Sequence, residues 1–106
     1  MHIFPGLYFG SYEHPRKLLW ILGAIIYVMM MATALLGYTL PYGQMSYWGA
    51  IVITNLFSAM PFVEGSLVVS ILGGYNVGDA TANRFYVLHS LIAFGIAAVV
   101  VWHIAA

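Results

Sequence analysis

The sequence predicts an all-α transmembrane protein, because it is strongly apolar and contains two long stretches without charge. Of its 106 residues, 6% are charged and 63% are hydrophobic. Soluble domains have about a quarter of their residues charged, so three basic and three acidic side chains are too few to cover a soluble globule. The formal net charge is zero and there is no basic patch. We therefore expect membrane lipid around the chain and no nucleic-acid partner.

Two segments are long enough to cross a membrane. We expect one span at about residues 18–40 and the other at about 82–106, the second being free of charged residues from position 85 onward. About 20 apolar residues cross a hydrocarbon core of about 30 Å. Arg16 and Lys17 stand at the start of the first span, and this pair favours the cytoplasmic or matrix side for that end.

Shorter segments flank the first span. Residues 45–72 predict a helical hairpin at the membrane surface, because residues 45–57 are too few to cross and Pro61 interrupts the apolar run. The N-terminal residues predict the end of an earlier helix, followed by a polar turn that ends at Arg16. Both chain ends suggest an internal fragment, since the sequence stops within the second apolar stretch.

Two histidines on the second span are the strongest candidates for chemistry. His89 and His103 are separated by fourteen positions on this span. Such spacing returns within about 40° of the same helix face, about 21 Å further along the axis. An imidazole in hydrocarbon is costly unless it binds a partner, and haem iron takes axial imidazoles. The pair predicts one ligand for each of two haems and is too widely spaced to share one zinc ion. Hydrogen bonds to a neighbouring helix are the alternative.

Other residues support the same interpretation. Gly23 and Gly37 repeat the histidine interval on the first span, where glycine allows something flat or bulky to approach the backbone, although ordinary helix packing uses small residues too. His2 is expected at the same membrane side as His103, so these two are candidate ligands of one haem. Arg84 is a candidate contact for a haem propionate, an interfacial anchor or a partner for Asp79. The absence of cysteine excludes a cluster held by thiolates.

Several motifs resemble cytochrome b of the cytochrome bc complex (ubiquinol–cytochrome c oxidoreductase). They extend over nearly the whole chain in the family's order: Gly6-Leu7-Tyr8-Phe9-Gly10-Ser11-Tyr12, Gly37-Tyr38-Thr39-Leu40-Pro41-Tyr42-Gly43-Gln44-Met45-Ser46-Tyr47-Trp48-Gly49-Ala50, Val52-Ile53-Thr54-Asn55-Leu56 and Asn83-Arg84-Phe85. The resemblance implies an internal piece of the family's haem-binding four-helix bundle, which holds two b haems.

The resemblance also assigns roles to single residues. It implies that His89 is a ligand of the low-potential haem, while His103 and His2 are the ligands of the high-potential haem. The second ligand of the low-potential haem would precede His2 by the same interval that separates His89 from His103, outside this sequence. Gly23 and Gly37 match glycines that pack on the macrocycles.

The surface hairpin matches the segment that lines the family's quinol-oxidation pocket. The resemblance makes Gly49 and Ile53 candidate contacts in that pocket. Pro5 stands where the family usually has an arginine that reaches a haem propionate, and proline lacks the cation that makes this contact.

The function implied is electron transfer from quinol through two b-type haems to quinone, with ubiquinol and ubiquinone as substrates. The expected partners are the rest of cytochrome b, cytochrome c1 and the Rieske iron–sulfur subunit, in a dimeric complex. The expected location is multi-pass in a bacterial or mitochondrial inner membrane, and the fragment alone is not expected to be active. Two alternatives are a haem-free helical scaffold and the anchor of another di-haem membrane dehydrogenase, which would lack the motif around Pro41–Gly49.

Overall fold

A computed structural model describes residues 1–62 and 64–106 of the chain. In the part described, the chain forms α-helices joined by short turns. They are, in chain order, α1 (Ile3–Tyr8), α2 (Lys17–Thr39), α3 (Gln44–Phe57), α4 (Glu64–Leu72) and α5 (Asp79–Ala105).

The two long helices α2 and α5 form the centre of the fold and run antiparallel. Gly23 near the start of α2 faces His103 near the end of α5, and Gly37 near the end of α2 faces His89. Both helices are long and apolar enough to cross a membrane, and only 6% of the most apolar window in each is buried. Their apolar side chains therefore point mostly outward, as expected for helices that meet lipid or other helices.

The helix boundaries differ from the predicted spans by a few residues. α2 begins at Lys17 and ends at Thr39, whereas α5 begins at Asp79, slightly before the predicted position. The earlier start of α5 has a local cause. Gly78 is extended, and its N–H donates to the Thr81 hydroxyl at 3.1 Å, which satisfies a backbone donor at the helix N-terminus.

α3 packs on the C-terminal end of α2 through one narrow face. Ser46, Ala50 and Thr54 recur at every fourth position along α3 and are all buried. The Ser46 hydroxyl donates to the Tyr38 carbonyl of α2 at 2.8 Å. The Thr54 hydroxyl donates to the Ala50 carbonyl at 2.7 Å and so needs no partner outside its own helix.

α4 returns toward α5 and completes the hairpin with α3. The hairpin predicted at residues 45–72 includes residue 63, which lies outside the described residues. At the end of α4, Thr81 of α5 donates its hydroxyl hydrogen to the Leu72 carbonyl at 2.7 Å. Thr81 is only 2% exposed, and the same oxygen accepts from Gly78, so one side chain joins the end of α4 to the start of α5.

Replacing Thr81 with valine tests this junction. Thr81→Val keeps the shape but removes both hydrogen bonds and leaves the Leu72 carbonyl without its donor. We expect a loss of about 1–3 kcal/mol of stability, the usual cost of an unpaired buried polar group. Thermal unfolding of the complete membrane protein in detergent measures it. Ser58→Ala is the control, since the Ser58 hydroxyl bonds within an exposed turn; equal losses in the two variants would contradict this role of Thr81.

Candidate functional site

The antiparallel helices place each histidine of α5 against one glycine of α2. A Cβ atom added to Gly37 would lie 2.8 Å from Cε1 of His89, and one added to Gly23 would lie 3.2 Å from Cε1 of His103. The equal intervals on the two helices are therefore in register. At both positions the missing side chain makes room for an imidazole, a contact that the sequence spacing alone did not predict.

His89 is held by a hydrogen bond to α2. Its Nδ1–H donates to the backbone carbonyl of Thr33 at 2.9 Å. A carbonyl oxygen can only accept, so the proton of the neutral ring lies on Nδ1 and the lone pair lies on Nε2. The His89 ring is thus fixed in the tautomer that leaves Nε2 available to a metal.

His103 lies near His2, at the level where α2 begins. The two ring centroids are 6.4 Å apart and the ring planes are tilted by 43°. Imidazole nitrogens bind metals at about 2 Å, so two trans imidazoles on one metal have their centroids about 6 Å apart. His2 is exposed and precedes α1, while His103 is half-buried. The separation of these rings fits one metal ion between them.

The Nδ1 atom of His103 differs from that of His89 in its hydrogen bonding. Nδ1 of His103 is buried and has no hydrogen-bond partner among the residues that the structure describes. A buried polar atom of this kind is costly, and in a native protein it usually has a partner. The two histidines of α5 therefore occupy chemically different surroundings despite their similar positions opposite glycines.

The imidazoles of His2, His89 and His103 suit a bound group that itself supplies most of the ligands of its metal ion. Within residues 1–62 and 64–106, no group of three or more histidine, aspartate or glutamate side chains could hold a metal ion. Two imidazoles would nevertheless complete the ligand set of a haem iron, since the porphyrin supplies the remaining nitrogens. The glycines give the same helices a surface that a flat group or a ring can approach.

Arg84 points toward the end of α4. Its guanidinium donates to the Ser70 carbonyl, and a Cβ added to Gly73 would lie 2.8 Å from Arg84 Nε. A cation at the last carbonyls of a helix is favourable because those groups lack partners within the helix. The predicted contact between Arg84 and a haem propionate stays a prediction.

The candidate quinol contacts lie on α3. Gly49 packs on the ring of Tyr38, because a Cβ added there would lie 3.1 Å from Tyr38 Cε1, and Ile53 is half-buried one turn further on. A cavity of about 610 Å³ opens between α3 and α4, but neither Gly49 nor Ile53 is among its lining residues, which are Asn55, Ser58, Gly65, Ser66, Val68, Val69 and Tyr75. The role of Gly49 and Ile53 toward quinol stays a prediction.

One contact of the site was missed by sequence reasoning. The carbonyl of Thr33 belongs to the residue one helical turn before Gly37. In a helix, the carbonyl of residue i−4 lies beside residue i, and a glycine at i leaves it uncovered. The available signal was thus a glycine, Gly37, on the helix opposite a histidine of the other span. This signal predicts the contact with the Thr33 carbonyl only when the register of the two helices is known.

Comparison with known proteins identifies the family. A family model described as Cytochrome b/b6/petB matches residues 1–106, and the chain belongs to this family. It is 60% identical over 104 residues to a Cytochrome b/c1 of Bradyrhizobium diazoefficiens, covering 98% of this chain and 15% of that protein. It is 57% identical to a Cytochrome b of Rickettsia bellii and 56% identical to one of Aspergillus terreus, covering the whole chain and 26% and 28% of those proteins.

Family membership confirms the resemblance found in the sequence and the all-α membrane fold. The name cytochrome b implies that proteins of this family bind haem b. The chain spans about a quarter of the length of the two Cytochrome b relatives and less of the Cytochrome b/c1.

The contact between Arg84 and Gly73 gives a testable prediction. Gly73 has φ of +76°, and a Cβ there would press on Arg84, so Gly73→Ala is strained by both backbone and side chain. We expect a loss of about 1–3 kcal/mol, measured by thermal unfolding in detergent. Gly74→Ala is the matched control, because a Cβ at Gly74 would contact no described residue within 4 Å. A neutral Gly73→Ala would show that the Arg84 contact is not maintained.

Proposed function

We propose that this chain is part of the cytochrome b subunit of a respiratory bc complex and conducts electrons from ubiquinol through two b-type haems. The observation that carries the proposal is the closeness of His2 and His103, whose ring centroids are 6.4 Å apart. A third imidazole, His89, lies on the same helix as His103, at a distance that suits a second haem.

The proposal assigns His2 and His103 as the axial ligands of the high-potential haem. His89 supplies one ligand of the low-potential haem, with its Nε2 left free by the bond from Nδ1 to Thr33. Gly23 and Gly37 keep side chains out of the space beside these rings. When bound, each haem supplies an iron that takes up and releases one electron.

The arrangement of α5 supports conduction across the membrane. His89 and His103 lie on one continuous helix, and their spacing separates them by about 21 Å along its axis. That is a large part of a hydrocarbon core of about 30 Å. An electron moving between groups held at these two positions would therefore cross much of the apolar layer.

The membrane location and the partners of the chain are proposed from its relatives. One relative is named Cytochrome b/c1, which supports cytochrome c1 as a partner, and the others include Rickettsia and fungal forms of Cytochrome b. We assign the chain to a multi-pass protein of a bacterial or mitochondrial inner membrane. Its further partners are the rest of cytochrome b and the Rieske subunit in a dimeric complex, with Gly49 and Ile53 contacting quinol.

A haem-free scaffold is the competing function, and the His89–Thr33 bond is the observation that favours it. A histidine that only joins two helices would use Nδ1 in the same way. It would leave Nε2 of His89 without a role, and it would give no reason for the closeness of the His2 and His103 rings. Spectroscopy of histidine variants separates the two functions.

The test uses the complete membrane protein and reduced-minus-oxidised absorption spectra. His2→Ala and His103→Ala are each expected to remove the same b-type band, about half of the total, because each removes one ligand of one haem. His89→Ala is expected to remove the other band. His14→Ala is the control, since His14 is exposed in the turn before α2.

The outcomes distinguish the assignments. The absence of b-type bands in the unmodified protein would overturn the redox function and favour the scaffold. Unchanged b-type spectra in all three variants would overturn the assignment of these histidines as haem ligands. Loss of different bands in His2→Ala and His103→Ala would overturn their assignment as a pair.

A further inference from the structure

We propose that the backbone carbonyl of Thr33 increases electron donation from the His89 imidazole to its iron. His103 has no equivalent acceptor in the described part of the chain, so the two histidines are unequal electron donors to their irons. Thr33 is thus a positioning residue that acts through its main chain. This inference rests on the proposed haem ligation by His89 and His103.

The bond at His89 joins two helices. Nδ1 lies 2.9 Å from the Thr33 oxygen, and the two partners are 56 positions apart in sequence. Within α2 the same carbonyl is the helical acceptor for the N–H of Gly37, so it receives two donors. The Thr33 side chain takes no part, because its hydroxyl donates to the Met29 carbonyl at 2.8 Å.

Gly37 allows the imidazole to reach this carbonyl. A Cβ at Gly37 would lie 2.8 Å from Cε1 and 3.2 Å from Nδ1 of His89, closer than carbon and nitrogen atoms normally approach. The lack of a side chain at Gly37 therefore makes space for the imidazole itself. A methyl group here would push the ring away from Thr33 and lengthen the hydrogen bond.

The corresponding position near His103 shows no such bond in the part of the chain that the structure describes. Leu19 stands in the same relation to Gly23 as Thr33 does to Gly37, one helical turn earlier, so its carbonyl is the equivalent acceptor. His103 Nδ1 nevertheless has no partner among the described residues. A Cβ at Gly23 would lie 3.8 Å from this Nδ1, so the ring sits further from α2 than the His89 ring does.

This difference has a direct electronic consequence. Donation from Nδ1–H to a carbonyl raises the basicity of the ring, and a more basic axial imidazole stabilises ferric over ferrous iron. Reduction of each iron adds one electron and leaves the protons of the ring in place. The haem held by His89 is therefore held at a lower potential than it would have without the Thr33 bond.

The sharpest test weakens one carbonyl and leaves every side chain in place. Replacing Ala34 with lactic acid in the complete protein turns the peptide bond after Thr33 into an ester, whose carbonyl is a weaker acceptor. The matched control replaces Trp20 with indole-3-lactic acid, which weakens the Leu19 carbonyl in the same way. Each change also removes one helical N–H, so both esters carry this cost.

Redox titration followed by absorbance gives the readout. In the Ala34 ester, the midpoint potential of the His89 haem should rise. At the former midpoint, the ratio of oxidised to reduced haem should therefore fall about threefold or more. A tenfold change corresponds to about 59 mV for one electron. The other haem should not change, and the Trp20 ester should leave both haems unchanged. Loss of only the His89 haem in the Ala34 ester would also support the proposal, since an imidazole that is not oriented binds iron poorly.

A second variant tests the same bond without backbone chemistry. Gly37→Ala should shift the potential of the His89 haem in the same direction, and it should alter the Nδ1 proton coupling in magnetic-resonance spectra of the ferric haem. Gly95→Ala is its control, since a Cβ at Gly95 would lie 3.2 Å from the methyl group of Met29 and would touch no imidazole.

Failure of this inference is distinguishable from failure of the proposed function. An unmodified protein with two b-type haems whose potentials are unchanged in the Ala34 ester, or equally shifted by both esters, overturns the role of Thr33 alone. An unmodified protein without b-type haem overturns the proposed function.

Discussion

The close approach of α5 to α2 at two glycines is the contact on which the rest of the structure depends. Each glycine lacks a Cβ where a histidine ring of the other helix lies, at Gly23 for His103 and at Gly37 for His89. Two contacts at the same interval on both helices fix their antiparallel register, because a shift of one residue would place a side chain against each ring. The steric fit of each ring against a glycine thus positions the histidines independently of their hydrogen bonds.

The connecting elements maintain this register with few polar contacts. Ser46 ties α3 to the last turn of α2, and Thr81 ties the end of α4 to the start of α5. Each uses a short hydroxyl side chain on a main-chain carbonyl, which suits a setting where unpaired backbone groups are costly. The hairpin of α3 and α4 thereby connects the end of α2 to the start of α5.

The two ends of α5 differ because each histidine meets a different arrangement of groups. His89 donates to the Thr33 carbonyl, while the His103 ring lies near His2 and its Nδ1 has no partner within residues 1–62 and 64–106. Helix geometry alone would make the two positions equivalent, since both lie opposite a glycine at the same interval. Unequal surroundings at equal spacing are a means by which one helix can hold two groups of the same kind at different potentials.

The sequence by itself determined the all-α membrane class, the two long helices and the histidines worth attention, because apolar length and charge are local properties of the chain. Its motifs also identified the family, which comparison with known proteins confirmed. The tertiary structure decided which atoms meet: that Gly37 contacts an imidazole, that Thr33 offers its carbonyl and that Arg84 reaches Ser70. These contacts join residues that are distant in sequence, and they depend on the relative rotation and height of packed helices, which no single helix specifies.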